Sequence, residues 1–185
     1  MAFTRAELES YAGRTIPDLV PDDLRLLFVG INPGLMSAAT GLHFAFAGNR
    51  FYPALRVAGI IPDDAFTAAD ARPVLLEQGV GITNIVARAS AGADELTQAE
   101  LLEGRRLLDR FVQQHRPKVV AIAGITSYRS AFGRRTAVAG RQTETIGDAS
   151  LWVVPNPSGL NAHETVDSLA TAYRAAAVEA GVVQS

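Results

Sequence analysis

The sequence predicts an α/β fold: a three-layer αβα sandwich, forming a single domain around a mainly parallel sheet. Three observations carry this prediction. Short apolar runs of strand length alternate with helical patterns along the chain. The length, 185 residues, suits one domain, and no repeat, low-complexity stretch or linker divides it. Apolar residues make up 48% and charged residues 19%, which is enough to bury a full core and too apolar for disorder.

The elements follow in order. Thr4-Arg5-Ala6-Glu7 is a capping box and opens a short helix. A Pro- and Asp-rich link, Pro17 to Asp23, leads into Leu24 to Gly30, a buried strand. That strand runs straight into Ile31-Asn32-Pro33-Gly34, a loop punctuated by Pro and Gly. Helices are expected over 49–58 and 68–78, then a second strand over Val80 to Val86. Thr97-Gln98-Ala99-Glu100 is another capping box and opens a long helix to about Gln114. Lys118 to Gly124 is a third buried strand, and 126–132 a short helix. A further strand, Leu151 to Val154, ends in Pro155-Asn156-Pro157-Ser158-Gly159-Leu160, and a last helix is expected over 163–180.

Composition excludes several chemistries. Without cysteine there is no disulfide, thiolate zinc site, iron–sulfur cluster or Cys nucleophile. His43, His115 and His163 lie far apart, so neither a metal nor a cofactor is expected. No apolar run reaches the roughly 18 residues of a membrane span, and the first residues lack the apolar stretch of a secretory signal. The expectation is a soluble, cytoplasmic monomer that contacts no membrane. The formal net charge of −2 gives no vote for nucleic acid, and of the 17 basic side chains a single one, Lys118, is lysine.

Two strand-end loops share a feature. Asn32-Pro33-Gly34 and Asn156-Pro157-Ser158-Gly159 each place an Asn at the carboxyl end of a buried strand, followed by Pro and Gly. Ligands of parallel sheets bind at those ends. Neither Phe28 to Asn49 nor Ala149 to Ala162 contains Asp, Glu, Lys or Arg. A cleft built from them is neutral, aromatic and rich in amides, which suits a flat, uncharged, hydrogen-bonding ligand such as a nucleobase. Structural turns with Asn in Asx geometry are the other reading of the same residues.

These residues resemble a known family. Gly30-Ile31-Asn32-Pro33-Gly34-Leu35, Thr40-Gly41, Phe44, Asn49-Arg50-Phe51 and Asn156-Pro157-Ser158-Gly159-Leu160 are similar to the mismatch-specific uracil-DNA glycosylase / thymine-DNA glycosylase family of the uracil-DNA glycosylase superfamily. The likeness runs from about Leu24 to Ala177. The highly active uracil-specific branch has Asp in the first motif and His opening the second, where this chain has Asn32 and Asn156.

The resemblance implies a monofunctional enzyme of base excision repair. It would flip uracil, and related damaged pyrimidines, out of G·U mispairs in double-stranded DNA and hydrolyse the glycosidic bond. Residue by residue, Asn32 positions the attacking water and Phe44 stacks on the flipped base. Asn156, with backbone groups of the first loop including Ile31 and Gly34, holds the departing base. Ser37 approaches C5 of the base, and Leu160 is the apolar wedge. Ser158, Gly159 and Asn161 approach the DNA. Family members continue with Ser-Arg after the wedge, the Arg reading the opposite guanine. This chain has Asn161-Ala162, so that reading falls to backbone groups or Asn161. Asn84 stands where a bacterial relative has lysine.

Beside the resemblance, two features are read from the residues themselves. Asp94 lies on the loop after the second strand, upstream of the Thr97 cap. It is a candidate general base where the Asn32 amide cannot take a proton, and a solvated loop acid otherwise. Arg129, Arg134, Arg135 and Arg141 fall in a stretch, Thr126 to Thr143, without an acid. Arg134 and Arg135 are the candidate phosphate contacts, with a solvated helix face as the alternative. A non-catalytic nucleotide- or nucleoside-binding module would use the same neutral cleft.

Overall fold

The structure, a computed structural model, describes residues 3–185. The first two residues, on which the absence of a secretory signal partly rests, and the terminal amine lie outside the described part. Among the described residues, five strands form the sheet: β1 (Leu26–Gly30), β2 (Val80–Asn84), β3 (Val119–Ala123), β4 (Gly140–Ile146) and β5 (Ala149–Val154). Their order is β2-β1-β3-β5-β4, parallel throughout except for the antiparallel β4 edge.

Strand alternation builds the two outer layers. Leu26 and Phe28 of β1 face one side with Val119 and Ala121 of β3. There they meet α3 (Phe51–Val57), α4 (Ala68–Glu77) and α7 (Val166–Ala180). Leu27 and Val29 face the other side with Val120 and Ile122, under α5 (Gln98–His115) and α6 (Ile125–Phe132). The result is the expected αβα sandwich. Phe28, Phe51 and Tyr173 pack ring against ring at its centre, with centroids 5.1–5.8 Å apart.

The capping boxes at Thr4 and Thr97 start α1 (Arg5–Glu9) and α5, as expected, and Thr67 caps α4 the same way. The last helix begins later than expected. Thr165, not His163, is its N-cap, with Ser168 closing the box. Two elements escaped the sequence reading. The short helix α2 (Leu35–Thr40) buries only Ser37, so it shows no apolar period, and it stops at Gly41 in the left-handed region. Strand β4 is polar and buries only Ile146, as an edge strand with one covered end does.

The switch point of the sheet lies between β1 and β3, since the chain moves from β1 to β2 on one side and to β3 on the other. The loops leaving β1, β2, β3 and β5 therefore converge at one end of the sheet. Lys118 is exposed at the opposite end, just before Val119, which pairs with Leu26. A five-residue strand separates the two ends by about 17 Å at 3.3 Å per residue.

Candidate active site

The two Asn-Pro loops meet over that switch point. They line a cleft of about 390 Å³ that also takes in Phe44, Asn84 and Asp94. Ile31, Asn32, Gly34, Ser37, Asn156, Ser158 and Leu160 all reach it. Gly159 and Asn161 flank it on the second loop, whereas Arg134 and Arg135 lie apart, after α6. Among the described residues lining the cleft, Asp94 alone carries a carboxylate, and no Lys or Arg is present.

Asn32 is held by its nitrogen. Nδ2 donates to Ser90 Oγ at 2.7 Å, to the Arg88 carbonyl at 3.1 Å and to the Pro33 carbonyl at 3.3 Å. The donor end is thus spent on the protein, and Oδ1 is left as an acceptor at the cleft wall. Ser90, 2% exposed, donates its hydroxyl hydrogen bond to the Gly92 carbonyl at 2.7 Å, which ties the loop of Asp94 to Asn32. Ser90 was not singled out in the sequence. Its bridge to Gly34 and its bond from Asn32, both made across the fold, reveal it. Asp94 sits exposed in a short 3-10 turn, Ala93–Glu95, at the rim.

Asn156 does adopt the Asx geometry that the turn reading anticipates. Its Oδ1 accepts from Ser158 N–H at 3.0 Å, which leaves Nδ2 as the free donor. The two readings of this loop are therefore compatible: one end of the amide builds the turn and the other is left to donate. Asn161 spends its amide within the loop. Nδ2 donates to the Asn156 carbonyl at 3.3 Å and Oδ1 accepts from His163 N–H at 3.4 Å.

Phe44 is in the left-handed backbone region, φ 53°, and its ring stacks on Phe51 with centroids 4.1 Å apart. A non-glycine residue there is uncommon and requires support from its surroundings. Here the stacked Phe51 and the bond from Tyr52 Oη to the His43 carbonyl at 2.8 Å provide it. Ser37 is buried, and its Oγ accepts from Ala45 N–H at 3.4 Å, closing the turn between α2 and Phe44.

Leu160 is 95% exposed at the tip of the second loop. It stands between the cleft and a neighbouring groove of about 500 Å³, which shares Ile31, Asn156 and Ser158 and continues to Thr126 and Ser127 of α6. Phe46, 62% exposed, lines the cleft too. The second loop, which carries Leu160, is fixed from below by Arg50, to which the sequence reading gave no role. Its Nη2 donates to the carbonyls of Ser158 at 2.5 Å and Asn161 at 2.7 Å, and its Nη1 to that of Glu164. Arg50 N–H donates to the Pro157 carbonyl at 2.9 Å. Gly159 lies so close to Gly48 that a Cβ would come 2.6 Å from its carbonyl oxygen. Arginine rather than lysine is required because one planar fork spans three carbonyls.

The arginine stretch is largely neutralised, because the sheet brings acids to it from elsewhere. Arg134 pairs with Glu144 at 2.5 Å and Arg141 with Glu179 at 3.0 Å, while Arg129 donates to the Ala137 carbonyl. Among the described residues, Arg135 is the one member of the four with neither an ion pair nor a carbonyl partner. Glu144 lies one residue beyond the stretch and Glu179 on α7, so sequence proximity could not reveal the second pairing.

Residues 17–179 match the family model described as the Uracil DNA glycosylase superfamily. A solution structure from Methanosarcina acetivorans, named as a candidate uracil DNA glycosylase, is similar with a TM-score of 0.61 at 14% identity, covering 92% of this chain and 98% of that one. That likeness concerns the fold. With the family match spanning most of the sequence, the chain belongs to the uracil DNA glycosylase superfamily.

Proposed function

We propose that the protein is a monofunctional DNA glycosylase that excises uracil mispaired with guanine. The observation that carries this reading is that Asn32, Asn156 and Phe44 line one cleft free of Lys and Arg beside the exposed Leu160, with Asn32 Oδ1 left as an acceptor and Asn156 Nδ2 as a donor. In duplex DNA the glycosidic bond is out of reach, so the nucleotide is flipped and Leu160 fills the gap. Phe44 offers the base a ring face. Asn84, at the end of β2, presents its amide to the base edge.

Hydrolysis divides between acceptor and donor. Asn32 Oδ1 accepts from a water and aims its oxygen at C1′. As the N1–C1′ bond breaks, the base leaves with the bonding electrons. Asn156 Nδ2 and nearby backbone N–H groups stabilise that anion, which then takes up a proton. Asp94 is the group able to receive the water's proton, or to stabilise the cationic sugar. Because both ends of the Asn161 amide are engaged, the opposite guanine is left to backbone groups around Gly159 and Leu160. Related damaged pyrimidines of similar shape would enter the same cleft.

The test is incubation with G·U, A·U and single-stranded uracil DNA, followed by alkaline cleavage at abasic sites. Release of free uracil with preference for G·U supports the reading. Tight binding without release would instead make the chain a nucleotide-binding module.

A further inference from the structure

His43 lies under the cleft and has no part in the chemistry above. It is 6% exposed, and its Nε2 is 3.0 Å from the Pro17 carbonyl. Its Nδ1 faces Asn84 Nδ2 at 3.4 Å. The protonation pattern follows from the partners. A carbonyl only accepts, so Nε2 carries the proton. In a neutral ring Nδ1 is then bare, and the Asn84 atom facing it must be the donating nitrogen. Asn84 Oδ1 is thereby turned away from His43 and lies over Gly30, where a Cβ would come 2.6 Å from it. Gly30, Asn84, His43 and Phe44 all line the cleft.

We propose that His43 is a positioning residue: it holds the Asn84 amide with its oxygen toward the cleft, so that the site selects bases carrying an N–H donor on the edge they present. This rests on the glycosylase reading given above. Uracil carries such a donor at N3, and cytosine has a bare acceptor there. A protonated His43 would present a second N–H to Asn84. The amide would then have to turn over and show its NH₂ to the base.

The surroundings favour the neutral ring. Burial lowers the His43 pKa, opposed by the bond to Pro17 and by Asp18 and supported by Arg72. Asp18 is itself bonded by Thr83 Oγ1 at 2.8 Å, and Arg72 comes from α4. The remaining titratable neighbour, Tyr52 of α3, is held protonated by burial.

The test is single-turnover release of uracil from single-stranded DNA across pH 5–8 by wild type, His43→Leu, His43→Asn and Asn84→Ala, together with ¹⁵N NMR of the His43 ring in the free protein. His43→Leu is expected to slow release about tenfold at pH 7.5, the scale of one oriented hydrogen bond. Combining it with Asn84→Ala is expected to add little to Asn84→Ala alone. His43→Asn, whose Oδ1 falls near the Nδ1 position, is expected to restore most of the rate. Wild-type release is expected to decline as pH falls through the lowered His43 pKa, which lies below the ordinary histidine value of 6.5, and the His43→Asn profile to lose that decline. The ring is expected to show a proton on Nε2 and a bare Nδ1. Unchanged rate and pH profile in His43→Leu, additive losses in the double variant, or a proton on Nδ1 at neutral pH would each overturn the proposal. Wild type that releases no uracil would refute the glycosylase reading instead, and the NMR arm would still decide how His43 meets Asn84.

Discussion

Replacing Arg50 tests how far the Leu160 loop depends on a half-buried residue beneath it. Arg50→Ala removes the guanidinium donations to the carbonyls of Ser158, Asn161 and Glu164 while leaving the backbone bond to Pro157 intact. Hydrogen bonds involving a charged group contribute about 1.5–3 kcal/mol each, so three would reach roughly 5–9 kcal/mol if they added. They do not add in full. Ser158, Asn161 and Glu164 are half-buried on a surface loop, so water reaches the freed carbonyls. A loss of about 3 kcal/mol is the reasoned value, which leaves a domain of ordinary stability folded. If DNA must reorder the loosened loop at the same cost, capture of paired uracil falls by about 100-fold at 1.4 kcal/mol per decade. Arg50→Lys is expected to recover only part of this, since an ammonium lacks the planar fork. Urea unfolding measures the first quantity, and single-turnover excision from G·U duplex against single-stranded uracil the second. A stability change within about 0.5 kcal/mol, the range of an unremarkable surface substitution, together with undiminished G·U excision would refute the clamp.

Leu160→Ala is expected to weaken capture of paired uracil far more than unpaired uracil, measured on matched duplex and single-stranded substrates; equal losses would argue against a wedge. Arg135→Ala is expected to reduce the salt slope of DNA binding by up to about one unit, and Arg134→Ala to reduce it less because Glu144 already holds that cation. Borohydride is expected to trap no covalent complex with uracil DNA, because Lys118 lies at the far end of the sheet; an adduct lost in Lys118→Ala would contradict the placement of the cleft. The depressed His43 pKa makes folding stability fully present above the unfolded value of 6.5 and lost as pH falls through the lower folded value. Thermal melting from pH 7.5 to 5 is therefore expected to decline less steeply for His43→Asn than for wild type.

Much of this architecture was legible because its signals are local. Phe28 and Val29 sit in an uninterrupted apolar run, and Thr97 with Glu100 marks the start of α5 within four residues. Asn32 and Asn156 stood out because Pro and Gly follow each at a strand end. What was missed depends on partners distant in sequence. Arg50 and the Ser158 carbonyl are 108 residues apart, and Asn32 and Ser90 are 58 apart. Arg134 looked free because its partner, Glu144, arrives on an edge strand whose polar alternation resembles a loop. His43 showed no motif at all, since its meaning comes from Pro17 and Asn84 on either side of the ring.

The most direct test of the glycosylase account is single-turnover release of free uracil from a G·U duplex by wild type beside Asn32→Ala, with DNA affinity measured on the same preparations. The variant removes the acceptor proposed to aim the water, yet leaves Leu160, Arg50 and Asn156 in place. Wild type is expected to give free uracil and an intact abasic site, and Asn32→Ala nearly unchanged affinity with most of the release rate gone. Near-normal release by Asn32→Ala, or no release by wild type on any uracil substrate, would contradict it.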